Sequence, residues 1–584
     1  MDSSKPVKGM LIDPEDGLAL RTFLESLRGY VKTVRVTLDP HWEQLRLFFD
    51  PMFARWNTQE VNNMSRQDYE IINETGTQAL SVLQSGMLTG MTPTTRDWFG
   101  LVPEDPNQAK RKENRIWCEL TSDVIRETML KSNYYETMLE MYGAEGLYGT
   151  CAFLIESDKI SDIRCHPYPT MSYWLGVDDT LRVDLVCREL MMTARNLVEK
   201  FGRDNVSPAV LTLMDSNAGG VKETYYPVAH FIMKGSYFDP AKSTLAKFPW
   251  ISIYYEIGNF NPQSGILRKA GYLSNPLIAG RWQTVGENIY GMSPAMKVLG
   301  STMSLQAWEE RLAQGAEKGF NPPMVADSRV DPRKLTMLPG EFSFVDFQDG
   351  KPVIAPAYNV NFQLDAGIKM VERIEARINE GMFKQVFQLF TDSTRREITA
   401  EEVRAKAQEK MSVLGPVIER NLNEVHGPSI MRILDILMRI PGRIPPLPEA
   451  MKGRDGALNT SLKLQFKSIL AQAAQMVGMN NISQVMTFAV ENAQAVPSIL
   501  DNLDTDKMMV RFAEKGNMDS DLIREPDEVA KMRAARQKAQ QQQQLMENAK
   551  PLAQAAQAAS QTPTAPGSNL LKTVAPNLAG GEGA

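Results

Sequence analysis

Two adjacent arginines, Arg395 and Arg396, are the residues best placed to do chemistry. They end the polar break Thr391-Asp392-Ser393-Thr394-Arg395-Arg396, which has no apolar side chain to tuck into a core. Guanidinium groups in such a loop make charge-assisted contacts with phosphate or carboxylate oxygens. Lys384, a few turns earlier, adds a weaker candidate cation. A second group, Arg329, Arg333 and Lys334, falls in a stretch punctuated by Pro, Gly and Asp, where it suits either an acidic partner or a solvated charged face.

Catalytic chemistry finds little support. There is no Gly-Lys-Ser/Thr phosphate loop and no His-Glu-x-x-His zinc site. Gly291-Met292-Ser293-Pro294-Ala295 lacks the closing glycine of a nucleophile elbow and reads better as a helix cap. His41, His166, His230 and His426 are scattered singly, and the carboxylates pair at no recognisable spacing. The chain is therefore expected not to be an enzyme and to hold no metal or cofactor. Cys118, Cys151, Cys165 and Cys187 form no Cys-x-x-Cys and are expected to be buried free thiols of a reducing compartment.

The elements that must position the arginines are legible by period. Leu364, Ile368, Val371, Ile374, Ile378 and Met382 recur at steps of three and four, so one amphipathic helix is predicted over 363–388. After the polar break, Thr399 and Glu402 form a capping box that starts another helix. Upstream, Ser293 as cap and Pro294 as first residue open a helix that runs to about Lys318, ahead of Gly319 and Pro322-Pro323. Between these helices lie short β-prone pieces, Met324-Val325-Ala326, Phe342–Val345 and Val353-Ile354-Ala355, with an Asp349-Gly350 hairpin signal.

The remainder is mixed. Helices are predicted in residues 15–55, over Gly76–Leu88 and over Asn133–Met141, and strands over Cys151–Ile155, Ile163–Tyr168, Met171–Val177, Arg182–Glu189, Tyr225–Met233 and Trp250–Tyr255. A Thr193-capped helix stops at Phe201-Gly202. Two further helices, Val417–Glu424 and Pro428–Ile440, precede the proline-rich 441–448, and 458–531 reads as helices only. From Arg533 the composition collapses to Ala, Gln, Pro and Gly. Gln540–Gln544 extends a helix, and disorder is expected beyond Pro551.

With 584 residues, two to four domains are expected. No apolar run nears the roughly 18 residues of a membrane helix, and the start of the chain has no signal core. A net charge of −6 argues against a protein that grips nucleic acid, though not against one that lets a duplex slide.

The ordered set Gly271-Tyr272, Asn275-Pro276, Arg281-Trp282, Gly286-Glu287, Tyr290-Gly291 and Ser293-Pro294, together with the helix, polar loop and capped helix of 360–415, resembles the bacteriophage portal proteins, the head-to-tail connectors of short-tailed, podovirus-type phages. The resemblance covers residues 15–535. It implies a mixed α+β, mainly helical portal fold: wing 1–292, first stem helix 293–319, clip 320–362, second stem helix 363–389, tunnel loop 390–397, wing helices 398–456, crown 457–531 and a partly disordered tail 532–584. It further implies a homo-oligomeric ring, twelve-fold in the virion, at one capsid vertex. Genome DNA would be packaged and ejected through that ring without sequence specificity, and the tail attaches there. Lys384, Thr391, Asp392, Arg395 and Arg396 would then line the DNA channel, the alternative for the arginines being carboxylates of an adjacent subunit. Arg329, Arg333 and Lys334 would dock partners at the clip. The implied partners are the terminase large subunit, tail adaptor or nozzle proteins, major capsid and scaffolding proteins and internal core or ejection proteins, with assembly in the host cytoplasm and no membrane insertion. A tail adaptor and a DNA-packaging enzyme are the alternatives. Adaptors are usually far shorter, and the missing phosphate loop speaks against a motor.

Overall fold

A computed structural model of the chain describes residues 13–51, 70–109, 111–216, 219–242, 244–258, 265–320, 322, 324–326, 354–356, 364–391, 414–453, 458, 460–467 and 529–543. The chain divides into two units, Met1–Ala495 and Val496–Ala584.

The first unit opens with α1 (Gly17–Arg35), where the Asp16 carboxylate accepts from the amides of Leu18 and Ala19. Then come α2 (Asp39–Phe49), α3 (Thr75–Met91), β1 (Phe99–Pro103), the short α4 (Pro106–Ala109), α5 (Lys112–Lys131) and α6 (Tyr134–Tyr148). Helix α6 stops on Gly149, whose φ of 77° is a left-handed conformation that glycine adopts without a Cβ penalty. The chain re-emerges at once as β2 (Thr150–Asp158), which pairs antiparallel with β3 (Asp162–Pro167).

A five-stranded antiparallel sheet follows in sequence order: β4 (Tyr173–Val177), β5 (Val183–Thr193), β6 (Tyr225–Lys234), β7 (Trp250–Glu256) and β8 (Ile266–Tyr272). Between β5 and β6 run α7 (Ala194–Phe201), capped by Thr193 and stopped by Gly202 as expected, and α8 (Pro208–Asp215). Alternation along β6 splits the sheet's two faces. Ala229, Phe231 and Met233 pack with Leu20, Leu24 and Val31 of α1, while Val228 packs with Leu197, Phe201 and Val210 of α7 and its surroundings. β9 (Leu277–Arg281) then returns to β2 and completes the three-stranded sheet β3-β2-β9.

Helix α9 (Pro294–Phe320) begins where expected: the Ser293 hydroxyl accepts from the Met296 amide at 3.0 Å and donates to the Leu147 carbonyl at 2.7 Å. The strands β10 (Met324–Ala326) and β11 (Ile354–Pro356) pair antiparallel. They lead to α10 (Leu364–Gly381) and α11 (Lys384–Thr391). After residue 413 come α12 (414–421), a π-helical turn Leu422–His426, and α13 (Gly427–Met438). The last strand among the described residues, β12 (Leu462–Phe466), pairs antiparallel with β1. In the second unit the described residues are one helix, α14 (529–543), so the expected extension into the glutamine run reaches residue 543.

Three expectations change. The helix predicted over 363–388 is two helices, because Phe383 takes a φ of 56° and turns the chain between Gly381 and Lys384. The helices expected at Val417–Glu424 and Pro428–Ile440 are one continuous helical run. The wider π turn before Gly427 leaves the missing amide of Pro428 without consequence, since Pro428 falls at the start of the next helical segment. The segment 458–531, read as helices only, contains strand β12. Helix α5 and strands β8 and β9 were not foreseen. The Thr399/Glu402 capping box, Phe342–Val345 and the Asp349-Gly350 hairpin lie outside the described residues. The four cysteines are buried free thiols, as expected.

A Cβ on residue 149 would lie 2.4 Å from the Gly291 carbonyl oxygen, whereas one on Gly202, also at positive φ, would meet nothing within 4 Å. Gly149→Ala should therefore cost about 3–5 kcal/mol, conformation and backbone collision together, and Gly202→Ala, at φ 83° and ψ 159° in an essentially glycine-only region, about 1–3 kcal/mol from conformation alone. Urea unfolding of the two variants measures the difference.

Candidate functional site

In the sequence, Arg395 and Arg396 fall between α11 and α12, and the helices leading to that point pack closely. Leu312 of α9 meets Gly367 of α10, where a Cβ would lie 2.4 Å from the leucine methyl, and Val298 meets Gly381, where a Cβ would lie 2.3 Å away. As α9 advances α10 runs back, so the two are antiparallel. The buried residues of α10 are Gly367, Val371, Ile374 and Ile378. Leu364 and Ile368, the first two members of the predicted apolar stripe, stay exposed, so the stripe is only partly covered within one chain.

A polar clamp fixes this pair to α3. The Asn73 side-chain amide donates to Glu309 of α9 at 2.8 Å and to Glu375 of α10 at 2.9 Å. Gln306 accepts from the amides of Ile72 and Asn73 at 2.7 and 2.8 Å and donates to the Asn73 carbonyl at 2.8 Å. Asn73 also accepts from the Thr75 amide, which caps the start of α3. Sequence reasoning missed this residue. The Asn-x-Thr spacing ahead of a small-residue helix was the available signal.

Beyond the turn at Phe383, α11 lies on α3. Phe387 fits over Gly86, where a Cβ would sit 2.4 Å from the phenylalanine. Lys384 is the first residue of α11 and is partly buried, and Thr391 is its last. Asp392, Arg395 and Arg396, with Arg329, Arg333 and Lys334, lie outside the described residues. On the far side, Leu414 and Ile418 of α12 are buried in the same core as Val386 and Phe387. Val386 and Phe387, before residues 392–413 in the sequence, and Leu414 and Ile418, after them, thus lie in one hydrophobic core.

Behind α12 lies a buried polar group of another kind. Glu145 of α6 is 1% exposed and accepts from the Asn421 side-chain amide at 2.6 Å, and its other oxygen has no partner. Burial pushes its carboxyl up to about 8, opposed by the Asn421 hydrogen bond and reinforced by nearby Glu424. Glu424 is itself held by Arg281, at 2.7 Å, and by Arg420. One turn on, His426 Nε2 lies 3.1 Å from the Tyr142 hydroxyl, and burial lowers the imidazole to about 3, so it is neutral. These groups surround the π turn, and none makes a metal-binding group of three or more His, Cys, Asp or Glu among the described residues. Nor, among them, is any helix long and apolar enough to cross a membrane.

Residues 21–523 match the family described as "Bacteriophage head to tail connecting protein". The chain is 32% identical over 551 residues to the portal protein of Salmonella phage epsilon15, covering 94% of this chain and 97% of that one. It is 30% identical over 529 residues to the probable portal protein of Bordetella phage BPP-1, covering 90% and 93%.

A carboxyl raised from 4.5 to about 8 stabilises the folded state fully below pH 4.5, and that contribution is lost as the pH rises to about 8. The full loss is roughly 4–5 kcal/mol at about 1.36 kcal/mol per unit. Glu145→Gln should therefore flatten the fall of stability between pH 5 and pH 8 and unfold at higher denaturant than the parent at pH 8. Parallel slopes for the two proteins would take Glu145 out of the account.

Proposed function

Since the chain belongs to the bacteriophage head-to-tail connecting proteins, we propose that it acts as a portal protein, a homo-oligomeric ring of the virion that joins capsid to tail. The observation that carries this reading is the antiparallel pair α9 and α10, joined through the β10–β11 pair and covered on one side only by its own chain. A helix leading out, a small β module and a helix leading back make a stem with a clip at its end. The exposed Leu364 and Ile368 suit contact with the next stem in a ring.

In this reading the ring is twelve-fold in the virion and sits at one capsid vertex, and it assembles in the host cytoplasm. Residues 1–292 and 398–456 form the wing, α9 and α10 the stem, 320–362 the clip, and 457–531 the crown. The wing also takes in β12 through its pairing with β1. Double-stranded DNA passes through the channel during packaging and ejection. The loop after α11 lines the narrowest part, where Arg395 and Arg396 touch the phosphate backbone, with Lys384, Thr391 and Asp392 at its approach. Backbone contacts of this kind carry no sequence information, which suits a conduit for any genome. Arg329, Arg333 and Lys334 lie in the clip, which docks first the terminase large subunit and later the adaptor or nozzle of the tail. Capsid and scaffolding proteins meet the wing, and internal core or ejection proteins meet the crown.

Changing Arg395 and Arg396 together to Ala should leave rings intact by native mass spectrometry while virions carry shortened or poorly retained genomes. Full-length, stable genomes would remove the pair from the channel, and rings that fail to form would place the pair between subunits. Replacing residues 340–352 by a short Gly-Ser link should also preserve the ring but abolish capture of terminase in a pull-down. Undiminished capture would move the docking site off the clip.

A further inference from the structure

Two buried acceptors without donors belong to side chains that are already joined to each other. The Asn421 amide donates to Glu145 Oε2 at 2.6 Å, while Glu145 Oε1 and Asn421 Oδ1 find no donor. Glu145 is 1% exposed and Asn421 is 0% exposed, so bulk water reaches neither. An ionised carboxylate only accepts, and so does an amide oxygen, so these two oxygens cannot satisfy one another. A protonated carboxyl has one O–H to donate. A single proton on Glu145 Oε1 therefore gives Asn421 Oδ1 its donor and leaves neither oxygen idle. The product is a cyclic acid–amide pair: N–H to the carboxyl oxygen, O–H to the amide oxygen.

The surroundings favour that proton. Tyr142 of α6, Cys151 of β2 and Tyr173 of β4 face Glu145 and stay neutral through burial, as does His426 beyond Tyr142. Glu424 of the π turn opposes a second negative charge, and Arg420 of α12 favours one. Both Arg420 and Arg281 of β9, however, pair with Glu424. Gly280 of β9 closes the space beside Oε1, since a Cβ there would lie 3.8 Å from that oxygen and 2.4 Å from Val425.

We propose that Glu145 and Asn421 form a proton-held acid–amide pair, a latch that fastens the end of α12 to α6 and loosens as the carboxyl ionises. The pair lies within the first unit and does not depend on the portal reading. Opening exposes the carboxyl to water, where its ordinary value of 4.5 replaces the closed value of about 8. Between those values opening releases one proton, so its equilibrium constant rises about tenfold per pH unit. Below them the latch is at its strongest, and above them the constant is level.

The test is hydrogen–deuterium exchange of the full-length protein, read by mass spectrometry from about pH 6 to about pH 9, with the intrinsic rate at each pH divided out. Exchange of peptides spanning 414–426 should quicken about tenfold per unit up to about pH 8 and then level off. Peptides from β6 and β7 should show no such slope. Glu145→Gln retains a pair without a titrating proton, because its amide both donates and accepts, and its exchange over 414–426 should be flat. In Asn421→Leu the levelling point should move to lower pH, because the pair favours the protonated carboxyl. An unchanged or higher point would mean that the amide serves the ionised form, and it overturns the pair. A flat profile in the unmutated protein overturns the latch, as does a slope that persists in Glu145→Gln. Infrared spectra of the unmutated protein give a check that needs no variant to fold. They should show a protonated-carboxyl C=O band at about pH 6 that is lost by about pH 9 in step with the exchange, and absence of that band overturns the proposal.

Discussion

The close approach of helices at glycine fixes how α9, α10, α11 and α3 pack. Gly367 against Leu312, Gly381 against Val298 and Gly86 against Phe387 each leave no room for a Cβ. The first two set the antiparallel pairing of α9 and α10, and the third seats α11 on α3. A methyl at any of them would push apart helices that interiors pack to near-crystalline density. The turn at Phe383 depends on the same contacts. A non-glycine residue at φ 56° persists only where surrounding packing holds it. Here Met382 before it is fully buried, and Val386 and Phe387 after it lie in the main core. The bend is thus a product of burial on both sides of a single residue.

Polar groups are buried in two different ways in the same region. The Asn73 clamp is well satisfied: one side chain and its backbone join the start of α3 to both long helices through short hydrogen bonds. Glu145 is the reverse, a carboxyl with one donor and one unpartnered oxygen under the π turn, where Asn421 Oδ1 and His426 Nδ1 are also unpartnered. Satisfied networks rigidify, whereas unsatisfied ones carry a free-energy cost that selection tolerates for a reason. The first joins α9 and α10 to the start of α3. The second adjoins the helix that receives the chain from 392–413, where a π turn widens the backbone ladder.

What the sequence revealed follows from the range of each signal. Period and caps act within a few residues, so α9 with its Ser293 cap, the Thr193 cap of α7, the apolar face of α10 and the β10–β11 pieces were legible. The turn at Phe383 was not, because nothing local breaks the periodic pattern. Val386 and Phe387 continue an apolar face, and only α3, some 300 residues earlier, dictates the bend. Strand β12 does show a period of two, Leu462, Leu464 and Phe466 alternating with Lys463 and Gln465, but the helical composition downstream masked it. The proline at 428 read as a break because the rule concerns ordinary helix interiors and not a π turn followed by a new helical start. The candidate loop itself was legible only as polarity between two helices. That α11 before it and α12 after it share one core depends on residues from distant parts of the chain, and no local pattern carries that.

In the proposed reading, charge placement reconciles an acidic protein with a polyanion. A uniformly basic channel would hold a duplex through many simultaneous phosphate contacts, and each released counterion would deepen the trap. In the proposed conduit, mild overall acidity would lift the duplex off most of the surface and leave attraction only where cations are concentrated. One such concentration in the proposed reading is Arg395 with Arg396, which fall in the sequence between α11 and α12.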